Sequence, residues 1–233
     1  MVGIIGAMQV EVEALKAMMS NVTVHKVGRI ELYQGVLSGV DVVVAVAGVG
    51  KVNAAMCAQT MILKFSPKVI INIGVAGGLT SELKIGDIAV ATDVVEHDMD
   101  TSPLGDELGY ISGLDVIKMP CAKWVTDILF KAAETLDGIK VIEGTIASGD
   151  QFINSAEKKK WIVDNFGAVA AEMEGASIGH VCYANDVDFC VVRAISDGAD
   201  DDSHLSFTEF VELAAKNSIK MILAFLDKME DDK

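Results

Sequence analysis

Three acidic stretches stand where a carboxylate is costly unless it is paired or used. Asp197 ends the apolar run Cys190-Val191-Val192-Arg193-Ala194-Ile195-Ser196, which reads as a buried strand. Glu172 and Glu174 flank Met173 and open a helix within the otherwise apolar segment Ala168 to Ala176. Glu11 follows the first apolar run, in the turn into a helix rich in apolar positions. Each has a plain structural reading by itself; a glutamate in a first helical turn, for instance, complements the helix dipole. Together they put carboxylates at three strand-to-helix junctions, which points to acid–base chemistry.

Other motifs lead away from cofactors. Gly3-Ile4-Ile5-Gly6 lacks the G-x-G-x-x-G pattern of a dinucleotide site. Gly48-Val49-Gly50-Lys51 resembles a P-loop, but Ala45 stands where its first glycine belongs and Val52 replaces the magnesium-holding Ser or Thr. Both read as tight turns between strand and helix. Gly74-Val75-Ala76-Gly77-Gly78 follows a central strand and would let a ligand approach the backbone closely, although by pattern alone a plain turn fits equally well. His97-Asp98-Met99-Asp100 offers ligand-type side chains but no partner pair at a metal spacing. Asp200-Asp201-Asp202 lacks the alternation and glycine of a calcium loop and reads as a solvated turn. Lys158-Lys159-Lys160 reads as a solvated helix face. No metal and no cofactor is expected.

A net charge of −15 argues against a nucleic-acid partner, whose phosphates need clustered Lys and Arg. Arg29 and Arg193 are the only arginines in the 233 residues, a poor supply for a phosphate site. No apolar run reaches the roughly 20 residues that span a bilayer. The amino terminus has no basic flank and carries Glu11 and Glu13, which argues against a signal peptide. Cys57, Cys121, Cys182 and Cys190 form no CxxC pair and read as reduced thiols. A cytoplasmic location is expected.

The elements that must position the carboxylates alternate between strand-like and helix-like patterns. Strands are expected at Val2 to Ala7, Ile30 to Leu37, Val40 to Ala47, Val69 to Val75, Asp87 to Val95, Lys140 to Ala147 and Phe189 to Ser196. Ser38-Gly39 signals a hairpin between the second and third of these. Helices are expected at Val10 to Met19, Val52 to Phe65, Cys121 to Leu136, Ala156 to Asn165 and Met173 to Ala184. Ser206 with Glu209 reads as the capping box of a last helix ending near Met229, followed by a frayed acidic end, Glu230 to Lys233. Asp98 to Met119 reads as a long functional loop. The alternation implies one α/β domain, residues 1–229, a three-layer αβα sandwich around a mixed sheet. Ligands bind such sheets where strands end and loops begin.

Ordered matches along the chain then identify a family. They are Gly3-Ile4-Ile5-Gly6-Ala7-Met8 with Glu11, Gly48-Val49-Gly50-Lys51-Val52, and Ser148-Gly149-Asp150-Gln151-Phe152-Ile153. Glu172-Met173-Glu174-Gly175-Ala176, Arg193-Ala194-Ile195-Ser196-Asp197 and Ser203-His204-Leu205-Ser206-Phe207 complete them. The chain resembles the 5′-methylthioadenosine/S-adenosylhomocysteine nucleosidases of the purine nucleoside phosphorylase superfamily, from Gly3 to about Leu226. The resemblance implies hydrolysis of 5′-thio-substituted adenosines, and of 5′-deoxyadenosine, to adenine and a 5′-substituted ribose, in methionine salvage. It implies that Asp197 protonates adenine N7 with Ser196 orienting it. Glu11 would activate water, and Glu174 would bind the ribose hydroxyls with Arg193 nearby. Main-chain groups at Phe152 and Ile153 would read the adenine edge, with the Phe152 ring stacked on the base and Gly77 close to it. Met8, Val49, Met173 and Phe207 would line the sugar and the 5′ substituent. It further implies a homodimer in which the loop near Pro103-Leu104 closes the partner's site; Leu104 stands where that loop commonly has an aromatic residue.

Breaking the bond between ribose C1′ and adenine N9 leaves an oxocarbenium-like sugar and a base that departs poorly unless protonated. A general acid contributes ~10²–10⁴-fold, and a carboxylate facing the sugar can activate water. Three rivals share parts of this pattern. A nucleoside phosphorylase needs basic residues where Gln9-Val10-Glu11-Val12-Glu13 offers two carboxylates. An aminodeoxyfutalosine nucleosidase would use the same machinery. A silent nucleoside-binding module would keep Phe152-Ile153 but have no need of both Glu11 and Asp197.

Overall fold

Strands β5 (Val69–Gly78) and β10 (Asp188–Asp197) lie side by side in parallel at the centre of the molecule, and β5 is buried along its entire length. Their apolar side chains face helices on both sides, which is why each reads as an uninterrupted apolar run. The computed structural model describes residues 1–133 and 135–231, with side chains to residue 229.

The remaining elements, in chain order, are β1 (Val2–Gly6), α1 (Gln9–Met18), β2 (Ser20–Val27), β3 (Ile30–Leu37), β4 (Val40–Val46) and α2 (Lys51–Phe65). After β5 come β6 (Ile88–Glu96), β7 (Lys118–Pro120), α3 (Lys123–Ala133), β8 (Val141–Ser148), α4 (Ala156–Phe166), β9 (Ala168–Glu172) and α5 (Gly175–Ala184). After β10, α6 (Ser203–Asp231) ends the described chain. The result is the expected single-domain αβα arrangement around a mixed sheet. From its free edge the sheet runs β2, β3, β4, β1, β5. There it closes on itself: β5 pairs with both β10 and β9, and the ring continues from β10 through β6 and β8 to β9. Helices α1, α3 and α6 form one layer, α2 and α5 pack together in the other, and α4 covers β8 and β9. Ile4, Ile5, Ile70, Ile71, Ile73 and Phe225 are fully buried between the layers. Each such side chain contributes about 1.5–3 kcal/mol of transfer free energy. Among the described residues no helix is long and apolar enough to cross a membrane.

Several expectations need correction. Strand β2 was not apparent in sequence because it is an edge strand with nearly every side chain exposed, so it carries no alternation of buried and open positions. Ala168 to Glu172, given no element from sequence, is a strand, and the helix expected from Met173 opens only at Gly175. Small residues fit there because the strand threads the closed part of the sheet, against Gly77 and Gly78 of β5. Ser206 caps nothing. Helix α6 begins three residues earlier, where the Asp200 N–H donates to Ser203 Oγ at 2.6 Å. Helix α6 also continues to Asp231, past the expected end; Asp232 and Lys233 of the expected frayed end lie outside the described residues. The long loop contains a 3₁₀ turn, Ser102–Leu104, and ends in β7.

Candidate active site

Strands β1, β4, β5 and β10 run parallel, so their carboxyl ends share one edge of the sheet. There the chain builds a cleft of about 660 Å³, counting its open mouth. Its lining includes Met8, Glu11, Val49, Gly77, Phe152, Ile153, Met173, Glu174, Ser196, Asp197 and Phe207. All but one of the site residues expected from sequence therefore meet at one surface. Arg193 is the exception, fully buried beneath it.

Asp197 reaches the cleft through an irregularity in β10. The register of β10 on β5 shifts between Ile195 and Asp197, so Ser196 is an extra residue opposite Ala76 and Gly77. Ser196 Oγ donates to Asp197 Oδ2 at 2.8 Å, and the Ala199 N–H donates to Oδ1 at 2.9 Å. The carboxyl is only 3% exposed as a residue, yet each of its oxygens has a donor. A Cβ on Gly77 would lie 2.9 Å from Asp197 Oδ1, so the bare glycine is what admits the acid.

Glu11 sits at the start of α1. Its Oε2 accepts from Ala7 N at 2.7 Å and Met8 N at 2.8 Å, and its Oε1 accepts from Val75 N at 3.2 Å. Burial raises its pKa above the ordinary carboxylate value, although Arg193 and these N–H groups act to lower it. A buried carboxyl with a raised pKa is a stronger proton acceptor than an exposed one, which suits a general base.

Arg193 organises the remaining acids. Its Nη2 donates to Asn72 Oδ1 and to Glu172 Oε2, and it lies 3.8 Å from Glu174 Oε2. Burial acts to discharge it, but Glu172, Glu174 and Glu11 outweigh that and keep it cationic. The two glutamates beside Met173 differ sharply. Glu172 is saturated: it accepts from Ser148 Oγ, Glu174 N, Gly175 N and Arg193 at the head of α5. Among the described residues the Glu174 carboxylate accepts only from Gly50 N, at 2.8 Å, beyond its looser pairing with Arg193. Burial and the neighbouring charge of Glu172 push its pKa up to about 7. Glu174 therefore keeps the free acceptor capacity to meet a polyhydroxylated ligand.

The walls are apolar and aromatic. Phe152 and Phe207 meet edge to face, with ring centroids 5.6 Å apart. The chain also contributes Ala7, Val75, Ala76, Gln151, Ala171 and Glu172 to the lining, none of them assigned from sequence. Glu172 carried a signal as the first carboxylate of its pair, Val75 and Ala76 as part of the glycine-rich segment, and Ala7 and Gln151 as members of the matched motifs. Leu104 is 84% exposed and lines no part of this cleft. The cleft thus offers one carboxyl with a hydroxyl partner, a second beside an arginine, a third open for hydroxyl groups, and a flat aromatic wall.

Comparisons with known proteins agree with that chemistry. The sequence model of the phosphorylase superfamily matches residues 1–227. A 5′-methylthioadenosine/S-adenosylhomocysteine nucleosidase from Exiguobacterium sp. is 40% identical over 230 residues, covering 98% of each chain. The crystal structure of a nucleosidase of the same name from Neisseria meningitidis, in complex with methylthio-immucillin-A, superposes with a TM-score of 0.94 at 37% identity, covering 97% of this chain and 98% of that one. The futalosine hydrolase of Helicobacter pylori superposes with a TM-score of 0.92 at 36% identity, covering 97% of both chains. The chain belongs to the phosphorylase superfamily and, within it, to the 5′-methylthioadenosine/S-adenosylhomocysteine nucleosidase family.

Proposed function

We propose that the protein hydrolyses the N-glycosidic bond of 5′-methylthioadenosine, S-adenosylhomocysteine and 5′-deoxyadenosine, releasing adenine and the 5′-substituted ribose, as a step of methionine salvage. The observation that carries this reading is one cleft holding Asp197 with its Ser196 hydroxyl and Glu11, with the Arg193 cation buried beneath. Adenine stacks on Phe152, with main-chain groups of Phe152 and Ile153 on its edge and Gly77 beside it. Asp197 gives its proton to N7 as the C1′–N9 bond lengthens, so the base leaves neutral. Glu174 takes the ribose hydroxyls. Glu11 removes a proton from the water that attacks C1′, and its charge faces the cationic sugar. Arg193 Nη1 and Glu11 Oε1 both crowd the backbone of Gly74, so the cation lies beside the base and favours its charged form. The 5′ substituent lies among Met8, Val49, Met173 and Phe207, whose apolar surfaces suit a thioether.

Water is the acceptor in this reading because, among the described residues, no Lys or Arg side chain lines the cleft to meet a phosphate. Arg193 is engaged by Glu172, Glu174 and Asn72, and Lys51 Nζ by Glu96 at 3.0 Å and Asp98 at 2.7 Å. Turnover in ¹⁸O-labelled water is expected to place label on ribose C1 at a rate independent of phosphate. Formation of a ribose 1-phosphate that depends on added phosphate would overturn it. A second reading, aminodeoxyfutalosine as the substrate, is favoured by the likeness to the Helicobacter pylori futalosine hydrolase. Adenine release across a panel of 5′-substituted adenosines ranks the two.

We also propose that the working unit is a homodimer, with Leu104 of one protomer beside the site of the other. Leu104 is 84% exposed, and on α2 Val52, Met56 and Leu63 are 69%, 55% and 76% exposed, an apolar surface unusual for a lone protomer. Sedimentation of a fully active monomer at assay concentration would exclude it. Four unpaired, buried cysteines suit a reducing, cytoplasmic location, which cell fractionation tests.

A further inference from the structure

Lys159 belongs to a run of three lysines on α4, yet it does not share its neighbours' surroundings. Lys160 pairs with Asp164 at 2.5 Å on the surface, and Lys158 lies 3.9 Å from the centre of the Trp161 ring. Lys159 turns inward. Its ammonium donates to Gly78 O at 2.9 Å and to Gly198 O at 2.6 Å. The expectation of a solvated face is therefore wrong for this residue.

Those two carbonyls immediately follow Gly77 and Asp197, which are partners where β5 meets β10. The Gly198 carbonyl belongs to the same peptide group as the Ala199 N–H, and that N–H donates to Asp197 Oδ1 at 2.9 Å. A peptide group is planar, so an ammonium that holds its oxygen also aims its N–H. Positive charge at the oxygen polarises the group as well, which strengthens the hydrogen bond on the other side. A second tie lies next to the first. The Asn154 side-chain nitrogen, in the amide orientation that satisfies both groups, donates to Asp200 O at 2.9 Å and Asp201 O at 3.3 Å. Asn154 and Lys159 both follow Phe152-Ile153, so the segment facing the base and the turn carrying the acid are tied at two points.

We propose that Lys159 is a positioning residue for Asp197, acting through the Gly198–Ala199 peptide. It holds the acid's carboxyl in line with a base seated on Phe152-Ile153. The inference rests on Asp197 being the leaving-group acid. A lysine that merely anchored α4 would affect every substrate alike. A lysine that aims the acid matters only when a proton must be delivered.

The test compares Lys159→Met and Lys159→Arg on two substrates, 5′-methylthioadenosine and 4-nitrophenyl 5-methylthioriboside, whose phenolate departs without a proton. For Lys159→Met, kcat on the nucleoside is expected to fall at least about tenfold, since small misplacements of a reacting group cost up to about 10²-fold. On the nitrophenyl riboside the loss is expected to stay within about twofold, and Lys159→Arg is expected to restore most of the nucleoside rate. Equal losses on both substrates, or no loss on either, overturn the proposal. Asp197→Asn is run alongside. If it shows no preference for the better leaving group, the acid assignment itself fails. If it shows the preference and Lys159→Met does not, only the role of Lys159 fails. Should Lys159→Met be unfolded at assay temperature, the same comparison on Lys159→Gln, which stays polar but removes the positive charge and shortens the side chain, decides the matter.

Discussion

Gly74 lies so close to Arg193 that a methyl group on its α-carbon would stand 2.1 Å from Arg193 Nη1 and 2.5 Å from Glu11 Oε1. The backbone of β5 thus forms the floor on which the cation and the base meet. Gly74→Ala is expected to force the two apart, destabilising the fold by about 1–3 kcal/mol, as overpacking does, and abolishing most turnover. Urea unfolding and kcat measure the two effects separately. A variant that kept native stability and rate would show that the Glu11–Arg193 arrangement has room to move.

Asp197→Asn keeps the shape of the acid and much of its hydrogen bonding but delivers no proton. A fall in kcat of at least ~10²-fold is expected, with ligand affinity changed far less. A nitrophenyl riboside should recover most of that loss. Near-normal turnover of adenine nucleosides by this variant would remove Asp197 from the chemistry.

Glu11→Gln is expected to lose turnover on both kinds of substrate, since water activation is needed whatever group departs. Because burial raises the Glu11 pKa, the acidic limb of the kcat/KM profile is expected above the ordinary value of 4.5. An acidic limb at or below that value would mean that Glu11 is not the titrating base.

Glu174 links pH to stability. Its folded pKa is raised to about 7 from 4.5, chiefly by burial and then by Glu172, so folding favours its protonated form. Its contribution is fully present below pH 4.5 and is lost as pH rises through about 7. Glu174→Gln removes the titration. The melting temperature of this variant relative to the parent is expected to rise steadily between pH 5 and pH 8, read by calorimetry in matched buffers. A constant difference across that window would contradict the raised pKa.

How much of this could be read from the sequence differs from residue to residue. The apolar runs of β5 and β10 announce a covered sheet, and Ser38-Gly39 announces the turn between β3 and β4, because burial pattern and turn geometry are local properties. Asp197 at the end of such a run, and Glu11 after β1, were conspicuous because a charge beside buried strands needs a reason. Resemblance to a family then supplied roles that spacing alone could not.

Tertiary structure decided the rest. Local pattern does not separate Glu172 from Glu174, two residues apart, and only the resemblance singled out the second; the fold saturates the first with Ser148, Arg193 and the head of α5 and leaves the second open. Nothing separates Lys159 from Lys158 and Lys160, until α4 is laid against the ends of β5 and β10 and one ammonium meets two carbonyls. By pattern alone Gly74 and Gly77 fit a plain turn as well as a ligand-approach site, and the crowding of Gly74 by Arg193 and Glu11, and of Gly77 by Asp197 and Ala199, shows why a side chain has no room there. The sequence by itself determined which elements form and that carboxylates gather at their ends. Which of those groups are spent on holding the fold, and which stay free for a ligand, depends on hydrogen bonds between distant segments, and those exist only once the sheet has closed.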